Sequence, residues 1–355
     1  MDPVAASNRT EVRRAVAALV FITILWGVSF PLVKMNNLLM EVNLRQALGE
    51  RAGEVRQFDL DLSAAAVTMT LRFGLSLIVL FACFPRKFSR LTAQQWLMGA
   101  SAGFVFAVAL LLQIIGLSEI PASRSGFLTS LSVVFTPLMM IVVTRRRPAI
   151  NVILAVVVAL VGVAFLTEAC SFDRVYVLKL SDDFTQQVGL GDVLTILAAS
   201  VFAVEIIMID IFSRRMPPAL LTPGMFLATI VTGAAVFVIH NWTWAVAPPI
   251  VSWGRLFTSL PFPLLSVTIC LVCTLVPFHY MNKYQAKVTP TQAALIYALE
   301  PVFTVVWAIF LPNLLSPLLG VPYKSETLTW ALIGGGGLVV AANVLGFEQE
   351  DKAPG

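Results

Sequence analysis

Charge and histidine are scarce in this chain. Only 12% of its 355 residues are charged and two are histidine, where a soluble globule carries about 25% charge. That leaves too little polar surface for a cytosolic enzyme fold and too much apolar surface for disorder. Four cysteines, Cys83, Cys170, Cys270 and Cys273, are too few for a disulfide framework. Cys270 and Cys273 form a C-x-x-C, but inside an apolar run, where thiols act as small hydrophobes rather than redox or metal groups. No G-x-x-x-x-G-K-[ST] phosphate loop and no H-E-x-x-H metal helix is present. His240 and His279 have no metal or nucleophile partner nearby in sequence, so no metal and no cofactor is expected. What the chain does have is apolar: 58% of residues are hydrophobic and the mean hydropathy is +0.87. A net charge of +4 on this length gives no support to nucleic-acid binding. The class is a polytopic membrane protein, with the lipid bilayer as its first partner.

Crossing the hydrocarbon core takes about 20 mostly apolar residues. Ten segments qualify, near 15–35, 64–84, 97–118, 122–143, 150–168, 191–212, 221–240, 262–282, 291–312 and 328–347. The first follows Arg13 and Arg14 and is read as a retained span, since no small-residue cleavage site precedes Lys34. Basic residues sort by side. With the N-terminus inside, the inner segments hold fourteen Lys and Arg and the outer loops seven, the bias expected of cytoplasmic loops. Both termini are therefore predicted to be cytoplasmic. The long connections, 36–63, 169–190, 241–261 and 313–327, all fall outside. In the first, Leu44, Leu48 and Val55 have helical spacing and suggest a surface helix, read as solvated decoration in preference to a lid or partner surface; Phe172 to Leu178 alternates like a strand.

The fourth and ninth segments resemble each other. Leu131, Val134, Phe135 and Thr136 match Leu299, Val302, Phe303 and Thr304 at an offset of 168, with Pro121 and Pro290 ahead of them. Each is fourth in a set of five. Five is odd, so the second set must enter the membrane from the opposite side, giving an all-α fold of ten transmembrane helices in two inverted five-helix repeats, both termini inside.

ILWGVSFPLVK at 24–34, RFGLSL at 72–77, ASRSGFLTSLSVVFTPL at 122–138 and AALIYALEPVF at 293–303 resemble the drug/metabolite transporter superfamily, in its EamA type. The resemblance implies a ten-helix carrier working by alternating access, usually exporting amino acids, related metabolites or drugs from bacteria. It divides the chain into a cytoplasmic segment 1–14, a first repeat 15–168 with an insertion at 36–63, an outer loop 169–190, a second repeat 191–347 and a tail 348–355. The insertion is a departure, because that connection is usually very short in the family. The expected location is the bacterial cytoplasmic (inner) membrane, with a monomer or homodimer as the assembly. An intramembrane enzyme or a sensor without transport are the competing classes; the first lacks a nucleophile and base in reach, and the second leaves the duplication unexplained.

Ionisable residues within a span are functional candidates, each costing on the order of 3 kcal/mol at a helix centre. Arg72 and Glu300 come out at nearly equal depth and form either a brace or a pair of contacts for a zwitterionic solute. Glu205 is a candidate for proton coupling or for binding an amine; Asp210, near Arg214, reads as a surface ion. Trp26, Gln113, Thr129, Ser130, Tyr297 and Asn343 can contact a polar or aromatic solute or join helices. Gly27, Pro31, Pro137, Pro277 and Pro301 are hinge candidates. Gly99 and Gly103, and the run Gly334 to Gly337, are read as close-packing surfaces.

Overall fold

The computed structural model describes residues 3–88, 91–132, 134–136, 138–139, 150–166, 170–172, 178–180, 188–243, 250–284, 287, 296–297 and 299–347. Among the described residues the chain is predominantly helical, with one small hairpin and a stretch without regular structure at 321–329. Among the described residues seven helices are long and apolar enough to cross a membrane, and two shorter apolar helices accompany them. In order the helices are α1 (Pro3–Leu48), α2 (Gln57–Cys83), α3 (Pro85–Phe88), α4 (Ala93–Glu119), α5 (Ala122–Ser130), α6 (Ile150–Leu166), α7 (Leu190–Ser213), α8 (Thr222–Thr243) and α9 (Ile250–Thr258). Next come α10 (Pro261–Cys270), a π-helical turn at Leu271–Leu275, α11 (Val276–Tyr284), α12 (Glu300–Leu319) and α13 (Trp330–Phe347). The hairpin pairs β1 (Cys170–Phe172) with β2 (Leu178–Leu180), Cys170 opposite Leu180. Its strands flank the stretch expected to be a strand, whose middle lies outside the described residues.

Side-chain contacts sort the connections onto two faces. On the face away from the N-terminus, here called distal, His240 lies 3.2 Å from the Asp59 carbonyl, Arg124 pairs with Asp192 at 2.6 Å, and Glu326 binds the start of α5. On the proximal face Lys287 pairs with Glu11 at 3.2 Å. The distal contacts join connections predicted to share one side.

Two boundaries differ from expectation. No glycine or proline stands between Pro31 and Gly49, so α1 runs on through the first long connection; its 46 residues measure about 69 Å at 1.5 Å per residue, against about 30 Å of hydrocarbon. The helix stops where Gly49 takes a left-handed φ of 58°. The connection is not solvated decoration. Leu39, Met40, Leu44 and Leu48 form a stripe at helical spacing that is buried with Val55 and with Trp253 and Leu256 of the 241–261 connection. The second difference is α12, which passes through Pro312 and Pro317 to Leu319. Pro312 has no N–H for the Ala308 carbonyl, and the Glu326 backbone N–H supplies it instead at 3.1 Å.

Glycines set the closest helix contacts. A Cβ on Gly103 would come within 2.4 Å of the Met225 Cα and one on Gly99 within 2.6 Å of the Leu221 carbonyl, so α4 packs backbone to backbone on α8. Gly335 does the same for α13 against α6, meeting the Gly162 carbonyl at 2.8 Å, whereas Gly334 and Gly337 face open space.

Candidate functional site in the middle of the bundle

The two repeated segments break at the same place. Helix α5 ends at Ser130, and Leu131 forms a turn in which its N–H reaches back three residues to the Leu128 carbonyl at 3.2 Å. At the matching position Leu299 donates to the Ile296 carbonyl at 3.1 Å. Beyond each break the same i−4 bond resumes, Phe135 to Leu131 at 2.9 Å and Phe303 to Leu299 at 3.2 Å. All four hydrogen bonds agree at the offset of 168. Pro301 is therefore not a mid-helix kink: it lies in the first turn of α12, where its missing N–H costs nothing. Pro137 lies outside the described residues.

Helices α5 and α12 touch beside these breaks and run in opposite directions, since Glu326 bonds both Ala122 at the start of α5 and the Ala308 carbonyl of α12, while Gly126 further along α5 meets the earlier Thr304. A Cβ on Gly126 of α5 would lie 3.1 Å from the Thr304 side chain of α12, and one on Gly27 of α1 would lie 2.8 Å from Phe303 Cβ and 2.9 Å from Thr304 N. Thr304 is fully buried between the two glycines. Pro31 leaves the Gly27 carbonyl without its intrahelical donor, which adds a weak point to α1 at this crossing.

Six of the predicted polar and aromatic candidates come together in pairs around the breaks. Gln113 Nε2 donates to Thr129 Oγ1 at 2.9 Å, Asn343 Nδ2 donates to Ser130 Oγ at 3.1 Å, and the rings of Trp26 and Tyr297 lie 5.5 Å apart. Asn343 keeps a buried Oδ1 with no hydrogen-bond donor among the described residues. Glu300 occupies the first turn of α12, one turn before Thr304, whose hydroxyl donates to its carbonyl at 3.0 Å. Its carboxylate feels the charge of Arg72 and has no hydrogen bond or ion pair within 4.0 Å among the described residues.

Arg72 does not form the direct ion pair with Glu300 that a brace would need. It is 9% exposed and spends its donors elsewhere: Nε to Thr274 Oγ1 at 2.5 Å, Nη2 to the Cys273 carbonyl at 2.9 Å and Nη1 to Ser29 Oγ at 3.3 Å. The sequence explains the second bond. Pro277 stands four residues after Cys273 and lacks the N–H that would close a helical turn there, so the carbonyl is open to an outside donor. The same proline follows the π-helical turn, where Val276 bonds back to Leu271. Ser29, Thr274 and the Cys273 carbonyl are site groups that sequence reasoning missed, although a proline four residues downstream marks such a carbonyl. If Arg72 compensates for Pro277, the two are coupled. Arg72→Met should cost about 2 kcal/mol by stranding a buried carbonyl, and Pro277→Ala should recover part of this only in the Arg72→Met background. Thermal unfolding of the four proteins of the cycle measures the coupling; equal effects of Pro277→Ala in both backgrounds would contradict it.

Glu205 stands apart. It is 7% exposed on α7, with no hydrogen bond, ion pair or charged neighbour among the described residues. Phe202, one turn earlier, lies tilted against Phe106 at 5.8 Å between ring centres, and Phe106 meets Phe73 edge-on at 5.6 Å, so an aromatic row lies between α7 and Arg72. Asp210 pairs with Arg214 at 3.0 Å, both exposed, as expected for a surface ion. An open depression at the distal face, lined by Pro312, Ser316, Tyr323 and Glu326, is separate from the polar middle. Among the described residues no group of three His, Cys, Asp or Glu is placed to hold a metal.

Nothing among curated proteins matches the chain. One solved structure, described only as the crystal structure of a protein, is 16% identical over 89% of this chain and 95% of that one, with a TM-score of 0.45. Residues 60–168, from α2 through α6, match the EamA-like transporter family. That stretch, under a third of the chain, contains Arg72, Gln113, the α5 break and the glycine contact to α12, and together with the apolar helices the match supports a multi-pass membrane protein with a region similar to EamA-like transporters.

Proposed function

We propose that the chain is a secondary carrier of small metabolites that exports amino acids, related compounds or drugs across the bacterial cytoplasmic membrane by alternating access. In this reading ten helices form two inverted repeats, 15–168 and 191–347, with both termini cytoplasmic, so that the distal face is extracytoplasmic. The single observation that carries it is the matched pair of helix breaks at Leu131 and Leu299, antiparallel and lined by polar pairs. Discontinuous helices at a repeat interface are where carriers place their solute, because unwound backbone and helix ends offer polar groups that an intact helix hides. Glu300 offers a carboxylate for an amine, Trp26 and Tyr297 an aromatic wall, and the Gln113–Thr129 and Ser130–Asn343 pairs hydrogen bonds that a solute can replace. Glu205 is the candidate for proton coupling, since a lone buried carboxylate can be held only neutral or with a bound cation.

Alternating access is tested by side-specific thiol modification of Ser130→Cys in sealed vesicles. An impermeant reagent should modify the new thiol from either face, above the background of the parent protein with its exposed Cys83. Modification from one face only would rule out a middle that opens to both.

A further inference from the structure

The distal ends of α1, α2 and α4 bring together charges that the solute path does not use. Asp61 on α2 is 3% exposed. Its Oδ1 accepts from Gln57 Nε2 at 3.2 Å, and its buried Oδ2 has no hydrogen-bond donor. Besides Gln57, the group that acts on Asp61 both as a charge and as a hydrogen-bond partner is the carboxyl of Glu119, at the exposed end of α4. Two ionised carboxylates cannot hydrogen-bond each other; one proton between them turns the repulsion into a strong bond.

The surrounding charges do not remove the need for that proton. Lys34 of α1 feels Glu326, Glu119 and Asp61, but its ammonium group donates to the Ile120 carbonyl and has no carboxylate within 4.0 Å among the described residues. Glu326 is held by the start of α5, accepting from the N–H of Ala122 at 2.6 Å, the N–H of Ser123 at 3.2 Å and the Ser123 hydroxyl. Tyr323, at 3.4 Å from Glu326, has its phenol pushed up by burial and by that carboxylate, so it stays neutral. Glu41 is paired with Arg45 at 2.9 Å, and Asp59 with Arg56 at 2.9 Å and His240 at 3.9 Å. Every other carboxylate facing the cluster has its own donors. Asp61 has only the Gln57 amide on one oxygen, its other oxygen has no donor, and Glu119 has no donor among the described residues.

We propose that Asp61 and Glu119 form a proton-binding site on the distal face: the proton sits on buried Asp61 and is donated in a hydrogen bond to the exposed carboxylate of Glu119, its route to distal solvent. The site is distinct from Glu205 and Glu300 and does not depend on which solute the carrier moves.

Infrared spectroscopy of the full chain in liposomes at neutral pH reads protonated carboxyls directly through their C=O stretch. Asp61→Asn and Glu119→Gln should each remove the intensity of one protonated carboxyl, the second because the new amide supplies an N–H and lets Asp61 ionise. The double variant should lose no more than either single one. Glu50→Gln, at an exposed carboxylate, should lose nothing. Additive loss in the double variant, or no loss in the singles, would overturn the shared proton. Calcium added to the wild-type protein should leave the band unchanged; its disappearance would mean that the pair holds a metal cation instead.

Discussion

Gly27→Val abolishes transport and lowers the melting temperature of the protein. The valine Cβ would lie 2.8 Å from Phe303 Cβ, 2.9 Å from Phe303 C and 2.9 Å from Thr304 N. Two of those atoms are backbone, so no rotamer change relieves the clash and α12 has to move away from α1. Overfilling a packed contact costs about 1–3 kcal/mol, and here the displaced helix also carries Glu300 and the fully buried Thr304. Even Gly27→Ala should cost stability, since the first added carbon already meets backbone. Gly337→Ala is the control, because nothing lies within 4 Å of the added carbon. Thermal unfolding of the three variants checks the order, and a Gly27→Val protein as stable as Gly337→Ala would show that the α1–α12 crossing is looser than described.

Glu300→Gln should reduce flux by at least about tenfold, roughly 1.4 kcal/mol in barrier terms, while leaving folding intact. The carboxylate makes no hydrogen bond or ion pair that the amide would lose among the described residues, and Gln has nearly the same shape. Removing an unpaired charge from the middle of a bundle stabilises if anything. A structural brace would behave in the opposite way, with lower stability and flux falling in proportion. Measuring unfolding and vectorial flux on the same preparation separates the two roles, and normal flux by Glu300→Gln would remove the residue from the solute path.

Hydropathy made the apolar helices legible, and the spacing of Leu131, Val134, Phe135 and Thr136 against Leu299, Val302, Phe303 and Thr304 pointed to the segments that share a break. The break itself was not visible, because leucine is a good helix former and only the i−3 bond at each position exposes it. The extension of α1 was missed because Glu41, Asn43 and Arg45 lower its hydropathy; the buried stripe from Leu39 to Leu48 carried the signal. Helix α12 runs past the expected end at 312 because a donor from the 320–329 segment satisfies the carbonyl that Pro312 frees. Pairings such as Gln113 with Thr129 and Asn343 with Ser130 are tertiary facts. Residue type makes such positions candidates, but partners 16 and 213 residues apart are chosen by how the helices cross. Arg72 shows the limit best: its depth suggested Glu300, while the proline on a third helix decided where its donors went.

The central claim, that solute crosses between the two broken helices, is tested most directly by counterflow in proteoliposomes. Vesicles are preloaded with members of a panel of unlabelled amino acids and cationic dyes, and entry of the labelled compound is followed. The account predicts transient accumulation of at least one compound by the wild-type protein, saturable and absent from empty vesicles. Absence of counterflow across the panel from a protein shown by its unfolding transition to be intact would contradict it.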